Sequence, residues 1–103
     1  MMNLYMVYRL DRSDGQAEAI RTTTRPAHRN YMEQFAQRVR LGGPVLDAQG
    51  QACGGLMVIE ADDEGAVRAM VAADPFEIAG LSAHIEIHPF RWQTKRPADL
   101  PPL

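Results

Sequence analysis

Residues 56–59 read LMVI, four apolar side chains in succession. As a strand, this run turns Leu56 and Val58 to one face and Met57 and Ile59 to the other, so it needs cover on both sides. A chain of 103 residues is enough for one domain with its own core and too short for two. The remaining segments must therefore build one sheet-based unit that shields this strand twice.

Those segments can be read from their periodicities. LYMVYRL, Leu4–Leu10, is a strand in which Leu4, Met6, Tyr8 and Leu10 share one face and Tyr5, Val7 and Arg9 the other. Residues 11–24 form a polar connector. The spacing then predicts a helix opening at Pro26, with Thr24 or Arg25 as its N-cap. His28, Tyr31, Met32, Phe35 and Val39 make its apolar stripe, and Gly42 and Gly43 are expected to end it. PVLD (residues 44–47) and LMVIEA (residues 56–61) read as two strands joined by a hairpin loop containing Gly50, Gly54 and Gly55. DDEGAVRAMVAA follows as a helix with an acidic start and the stripe Val67, Met70 and Val71. A short turn, PFEIAG, leads to the last strand, HIEIHPFRW, where Ile85 and Ile87 alternate with His84, Glu86 and His88.

The order strand, helix, strand, strand, helix, strand is the split βαβ, ferredoxin-like pattern. It predicts an α+β domain over residues 1–92, with a four-stranded antiparallel sheet and both helices on one face. Residues 93–103 are proline-rich and aperiodic, so an extended or disordered tail is expected. The second sheet face then needs its own cover, because a large bare apolar patch is rare on monomers. Face-to-face packing of two sheets in a homodimer, or in a larger assembly of the same chain, is the simplest way to provide it, and a face sealed by the polar tail is the alternative.

The formal net charge is −2, with Lys and Arg spread along the chain, which gives no reason to expect nucleic acid or an anionic membrane as partner. The start has no basic n-region, and no segment is long and apolar enough to span a bilayer. Cys53 is the single cysteine, which rules out an internal disulfide or a thiolate cluster and favours a reducing, cytoplasmic setting. It has no obvious activating neighbour and reads as a bystander. The glycine-rich stretch lacks the Lys and Ser/Thr of a phosphate loop, and no serine sits in a nucleophile elbow.

The chemistry-bearing candidates are His28 and Asp74. In the expected topology His28 lies in the first turn of the first helix, and Asp74 lies just past the end of the second. Both positions fall at the same end of the sheet. A carboxylate bonded to one imidazole nitrogen fixes the tautomer and leaves the other nitrogen as a base. In a first turn the helix dipole would oppose a positive ring, and a nearby Asp74 would favour one. Arg21, Arg25 and Arg29 cluster at the same end, where with the free N–H groups of the helix they could hold a carboxylate or phosphate. Arg9 of the first strand joins Arg21 and Arg25 as a candidate for anion binding.

Each candidate also has a purely structural role. Asp74-Pro75-Phe76-Glu77 fits a capping box, and losing such a cap costs about 1 kcal/mol, which is reason enough for an aspartate there. His28 continues an apolar stripe and fits a buried, hydrogen-bonded core position equally well. The arginines fit a solvated face. His84, Glu86 and His88 share one strand face at period two, a spacing that can present metal ligands. With no further ligands clustered nearby, no metal is expected, and lining a polar space between sheets fits better.

The elements RPAHRNYMEQF, GGPVLDAQGQACG, VIEADD and AADPFEIAGL, followed by IEIHPFRW, occur in this order. Together they resemble the YciI-like (YCII-related) family from the first strand to about Trp92. The resemblance implies a dimeric α+β barrel of ferredoxin-like subunits, and a shared His and Asp, implied as catalytic, that match His28 and Asp74. Asp74 then serves as cap and site residue together, since a cap uses one carboxylate oxygen and leaves the other. Many relatives carry tyrosine where this chain has Phe76, so any substrate contact through that hydroxyl is lost here. Related dimeric barrels include small-ring isomerases and dehalogenating lyases acting on aromatic-derived acids. The expectation is a small cofactor-independent enzyme performing His/Asp proton transfer, of isomerase or lyase type, on a small cyclic or enolisable acid. A non-catalytic small-molecule-binding or accessory dimer is the alternative, and a purely structural dimer is the third possibility.

Overall fold

A computed structural model of the chain describes residues 3–100. Residues 101–103 of the expected tail lie outside the described residues. The elements are β1 (Asn3–Asp11), α1 (Ala17–Glu33), β2 (Val39–Leu46), β3 (Ala52–Ala61), α2 (Glu64–Ala72), α3 (Pro75–Ile78) and β4 (Ser82–Pro89). The strands form one antiparallel sheet in the order β2-β3-β1-β4. This is the ferredoxin-like α+β arrangement that the alternating periods predict.

Residues paired across antiparallel strands share a face. Val7 pairs with Met57 and Ile87, and Tyr5 pairs with Ile59. These side chains meet Val67, Met70 and Val71 of α2 in the core. Each fully buried side chain of this kind contributes roughly 1.5–3 kcal/mol. On the opposite face Met6 and Tyr8 line up with Leu56 and Val58 of β3 and with Glu86 and His88 of β4. Leu10, Leu41 and Leu56 remain exposed on this second face.

The local chemistry explains most boundaries. The Asp63 side chain accepts from the Ala66 N–H and starts α2. Asp74 does the same for α3 through the Phe76 N–H, with Pro75 at the first helical position. The reciprocal half of the expected capping box is not made, because Glu77 turns to Arg9 and Ser82 instead. The β2–β3 turn is shorter than expected. Asp47 accepts from the N–H groups of Gln49 and Gln51, and Gly50 takes φ +80°. Cys53, Gly54 and Gly55 consequently belong to β3.

The first helix departs from the sequence reading at both ends. It begins at Ala17 within the expected connector, and Pro26 lies in its interior. Thr22, whose carbonyl loses its helical partner to the proline ring, and Pro26 itself are both exposed, so water can complete the carbonyl. His28 is therefore well inside the helix and not in its first turn. The expected dipole effect and the expected free N–H groups are absent from its surroundings. The helix ends at Glu33, and Val39, Gly42 and Gly43 run on as part of β2. Gly-Gly-Pro suits this position because β2 is an edge strand, where a missing ladder donor costs little.

No α1 residue is buried. The helix is attached by Met32, which packs partly buried against the core, and by specific polar contacts, such as the 2.7 Å bond from the Tyr31 hydroxyl to the Met70 carbonyl of α2. Beyond β4 the chain contains turns without helix or strand. Arg40 grips both carboxylate oxygens of Asp99, at 2.6 and 2.7 Å, and Leu100 is buried. No helix among the described residues is long and apolar enough to cross a membrane.

Candidate active site

Between the inner side of α1 and the sheet lies a cavity of about 560 Å³. Arg21, Arg25, His28, Arg29 and Met32 reach it from α1 at helical spacing. Val7, Arg9 and Met57 form part of the opposite wall, with Gly42, Gly43, Gly54 and Gly55 beside them. Phe76 and Leu81 close one side. The side chains that α1 would otherwise bury in a core face this space instead.

His28 and Asp74 touch. His28 Nδ1 lies 2.8 Å from Asp74 Oδ1, and the Asp74 side chain is fully buried. The same oxygen accepts the Phe76 N–H at 2.9 Å, and Oδ2 accepts from Arg9 Nη1 at 2.8 Å. Burial pushes the Asp74 carboxyl upward. The bonds from His28, the Phe76 N–H and Arg9 outweigh that effect and hold it below the ordinary carboxylate range. An ionised carboxylate only accepts hydrogen bonds, so His28 Nδ1 carries the hydrogen. In the neutral ring Nε2 is then the basic atom.

Packing fixes the ring as well. His28 stacks on Phe76, with centroids 4.1 Å apart and planes 21° from parallel. The Arg21 guanidinium lies 5.8 Å from the Phe76 centroid. Arg21 is itself held by two bonds to Asp11, at 2.7 and 2.8 Å, and by one to the Gly54 carbonyl. That pairing with Asp11 raises the Arg21 pKa. Burial, helped by the Asp74 charge, raises the Tyr31 phenol, which stays protonated as the donor to Met70.

The structure thus brings His28, Arg9, Arg21, Arg25 and Arg29 to one cavity, keeps Asp74 buried behind His28, and divides the arginines into two kinds. Arg9 is held between Asp74 and Glu77, and Arg21 is matched by Asp11. Arg25 is exposed at the cavity and has no hydrogen bond or ion pair among the described residues. Asp11, Glu77, Ser82 and Tyr31 complete the network around the site, and sequence reasoning assigned none of them this position. Asp11 reads as the start of a polar connector and Glu77 as part of a capping box, so both already have a local explanation. The register of β1 against β4 and the placement of α3 beside Arg9 bring them in.

His84 and His88 lie apart from this cavity on the second sheet face. Each bonds through Nε2 to Glu86 at 3.0 Å, and those bonds, led by the one from His88, lower the Glu86 carboxyl. No set of three or more His, Cys, Asp or Glu side chains among the described residues is arranged to hold a metal.

The model of the YCII-related domain matches residues 3–91. The chain belongs to the YCII-related family. Among solved structures, this YCII-related chain is similar to 5-chloro-2-hydroxyhydroquinone dehydrochlorinase (TftG) from Burkholderia phenoliruptrix AC1100, in complex with 2,5-dihydroxybenzoquinone. The two share 32% identity at a TM-score of 0.76, covering 87% of this chain and 93% of the other. A Pseudomonas aeruginosa protein (15% identity, TM-score 0.54, 90% and 96% covered) shares the fold. So does a putative antibiotic biosynthesis monooxygenase from Nitrosomonas europaea (13%, 0.51, 93% and 94%). No curated protein matches the YCII-related chain.

Proposed function

We propose that this protein is a small enzyme that moves a proton on a cyclic or enolisable acid, with His28 as the base and Asp74 as the residue that positions it. The observation that carries the proposal is the 2.8 Å contact between Nδ1 and a buried, ionised carboxylate beside a cavity. That contact dedicates Nε2 to accepting a proton. Once an acidic proton is removed, the electron pair left behind can be reprotonated elsewhere, an isomerisation, or can expel a leaving group as an anion, an elimination. Neither course needs a redox cofactor. The similarity to a dehydrochlorinase supports the elimination branch and a hydroxylated ring as the substrate. A positioned base of this kind contributes about 10²- to 10⁴-fold.

Within this proposal Arg25 meets the anion, while Arg9 and Arg21 shape the cavity with charges that Asp74, Glu77 and Asp11 already balance. Two copies pack their second sheet faces together, which would cover the exposed Leu10, Leu41 and Leu56. The lone Cys53 fits a cytoplasmic setting.

A non-catalytic binding protein is the second reading, and it draws on Asp74 being engaged as a cap and a partner of Arg9. Deuterium exchange separates the two. Hydroxylated ring acids incubated with the protein in D₂O should gain deuterium at an enolisable carbon, and His28→Gln should abolish the gain. Exchange that persists in His28→Gln overturns the assignment of the base. Ligand binding without exchange favours the binding protein.

A further inference from the structure

The arginines of α1 fall into a pattern that a proton-transfer site alone does not require. Arg21 is matched by Asp11, but Arg25 and Arg29 both line the cavity, both are exposed and neither has an acceptor among the described residues. They stand four residues apart on the face that carries His28. Like charges at that spacing repel on a helix, and neither guanidinium is bonded to a carboxylate among the described residues. On the opposite wall the Asp11 carboxylate is already taken by Arg21, and Gly42, Gly43, Gly54 and Gly55 contribute no side chains. A methyl group added at Gly55 would meet only the Gly43 carbonyl oxygen, at 3.9 Å, so that wall is flat and open. Val7, Met57 and Phe76 provide the apolar surface a ring needs.

We infer that the ring acid bound here carries a carboxylate in addition to the proton that His28 removes, and that Arg25 and Arg29 hold that carboxylate at the rim of the cavity. This rests on the proposed proton-transfer site. It goes further in assigning the substrate a second acidic group and in making Arg29 a residue that selects for it. The ring lies against the glycine wall with its reactive edge toward His28. The carboxylate stays near solvent, where Arg guanidinium groups bind planar anions through paired hydrogen bonds.

A matched pair of probes tests this by calorimetry on the full chain: hydroquinone, and gentisate, which is hydroquinone bearing one carboxylate. Wild type should bind gentisate at least about tenfold more tightly, the value of one charge-assisted hydrogen-bonded contact. In Arg25→Gln/Arg29→Gln the preference should collapse while hydroquinone affinity is kept. Arg68→Gln, remote on α2 and paired with Glu64, should change nothing. The preference should also survive in His28→Asn, so loss of the proton-transfer reading would leave this result standing, and the reverse holds as well. Equal binding of both probes by wild type overturns the inference. So does a preference that persists in the double variant, or no binding of either probe at millimolar concentration.

Discussion

Asp74 Oδ1 serves His28 and the start of α3 at once, accepting from His28 Nδ1 at 2.8 Å and from the Phe76 N–H at 2.9 Å. The atom that caps the short helix is also the atom that sets the tautomer of the His28 ring. Phe76, whose N–H it accepts, stacks on the same imidazole. Deleting the Asp74 side chain therefore disturbs ring orientation and helix start together, and only a graded substitution can separate them.

Asp74→Asn keeps an acceptor for the cap and for His28, but it loses the charge and sets amide hydrogens against Arg9. The expected stability loss is about 1–3 kcal/mol. Proton-transfer catalysis should fall by about 10²- to 10⁴-fold. Asp74→Ala, which strips a buried ion pair of one partner, should cost about 3 kcal/mol or more. Urea unfolding beside the exchange assay reads both quantities. Equal stability losses in the two variants would contradict the role of Oδ1 as a cap.

Acid stability carries the signature of the same carboxyl. Because Asp74 is held below its ordinary range in the folded protein, the unfolded chain takes up its proton more readily. The resulting stabilisation is complete above the unfolded carboxyl value of about pH 4 and is lost as pH falls through the folded value. The gap in unfolding free energy between wild type and Asp74→Asn should therefore hold through the neutral range and shrink below about pH 4. A gap independent of pH would mean that Asp74 is not held as an ion.

Two adjacent glycines should respond in opposite ways. Gly55 has open space before it on the cavity wall. Gly55→Val should fold normally and weaken ligand binding by more than about tenfold as its methyl groups fill the cavity. At Gly54 an added Cβ would run into the Arg9 backbone carbonyl of the neighbouring strand. Gly54→Ala should therefore lower stability by about 1–3 kcal/mol as the strands are forced apart. Thermal melts and calorimetry on the two variants distinguish a filled cavity from a strained sheet.

Tyr31 ties α1 to α2 through a single hydroxyl. Tyr31→Phe should cost about 1 kcal/mol. It should also speed amide exchange in α1 more than in α2 or the sheet, as hydrogen-exchange mass spectrometry can resolve. Uniform acceleration across the molecule would show that α1 does not open separately.

The second sheet face supplies the test of assembly. Leu41, on the edge strand, is 48% exposed and pairs with Val58 on that face. Sedimentation at micromolar concentration should find the wild type as a dimer and Leu41→Glu as a monomer with unchanged helical content. A wild-type monomer would sink the face-to-face arrangement.

The sheet was legible in the sequence because alternation is a short-range signal. The faces of β1 and β4, the two-sided run in β3 and the stripe of α2 needed nothing beyond their own spacing. The first helix was misread because two local rules pointed the wrong way. Pro26 signals a helix start, and Gly42-Gly43 signals a helix end. Here an exposed helix face tolerates the first, and an edge strand tolerates the second. Topology places His28 and Asp74 at the same end of the sheet and so allows their meeting without fixing it, and the expected position of His28 in a first turn is wrong. The division of the arginines into matched and unmatched was not legible. Arg9 and Arg25 look alike in sequence, and only the placement of α3 beside Arg9 gives the first its carboxylates.

The absence of any buried residue in α1 has a thermodynamic consequence. Elsewhere in the molecule apolar side chains complete the core from within, but beneath α1 Met32 packs only partly buried against it and the rest of that place is open to whatever enters the cavity. A bound ring would act as a detachable part of the core, so occupancy and the local stability of α1 become one linked equilibrium. At a hundredfold excess over its dissociation constant such a ligand adds about 2.7 kcal/mol to the folded state. On the proposed function, the first helix would thereby be the part of the molecule whose order reports that the site is filled.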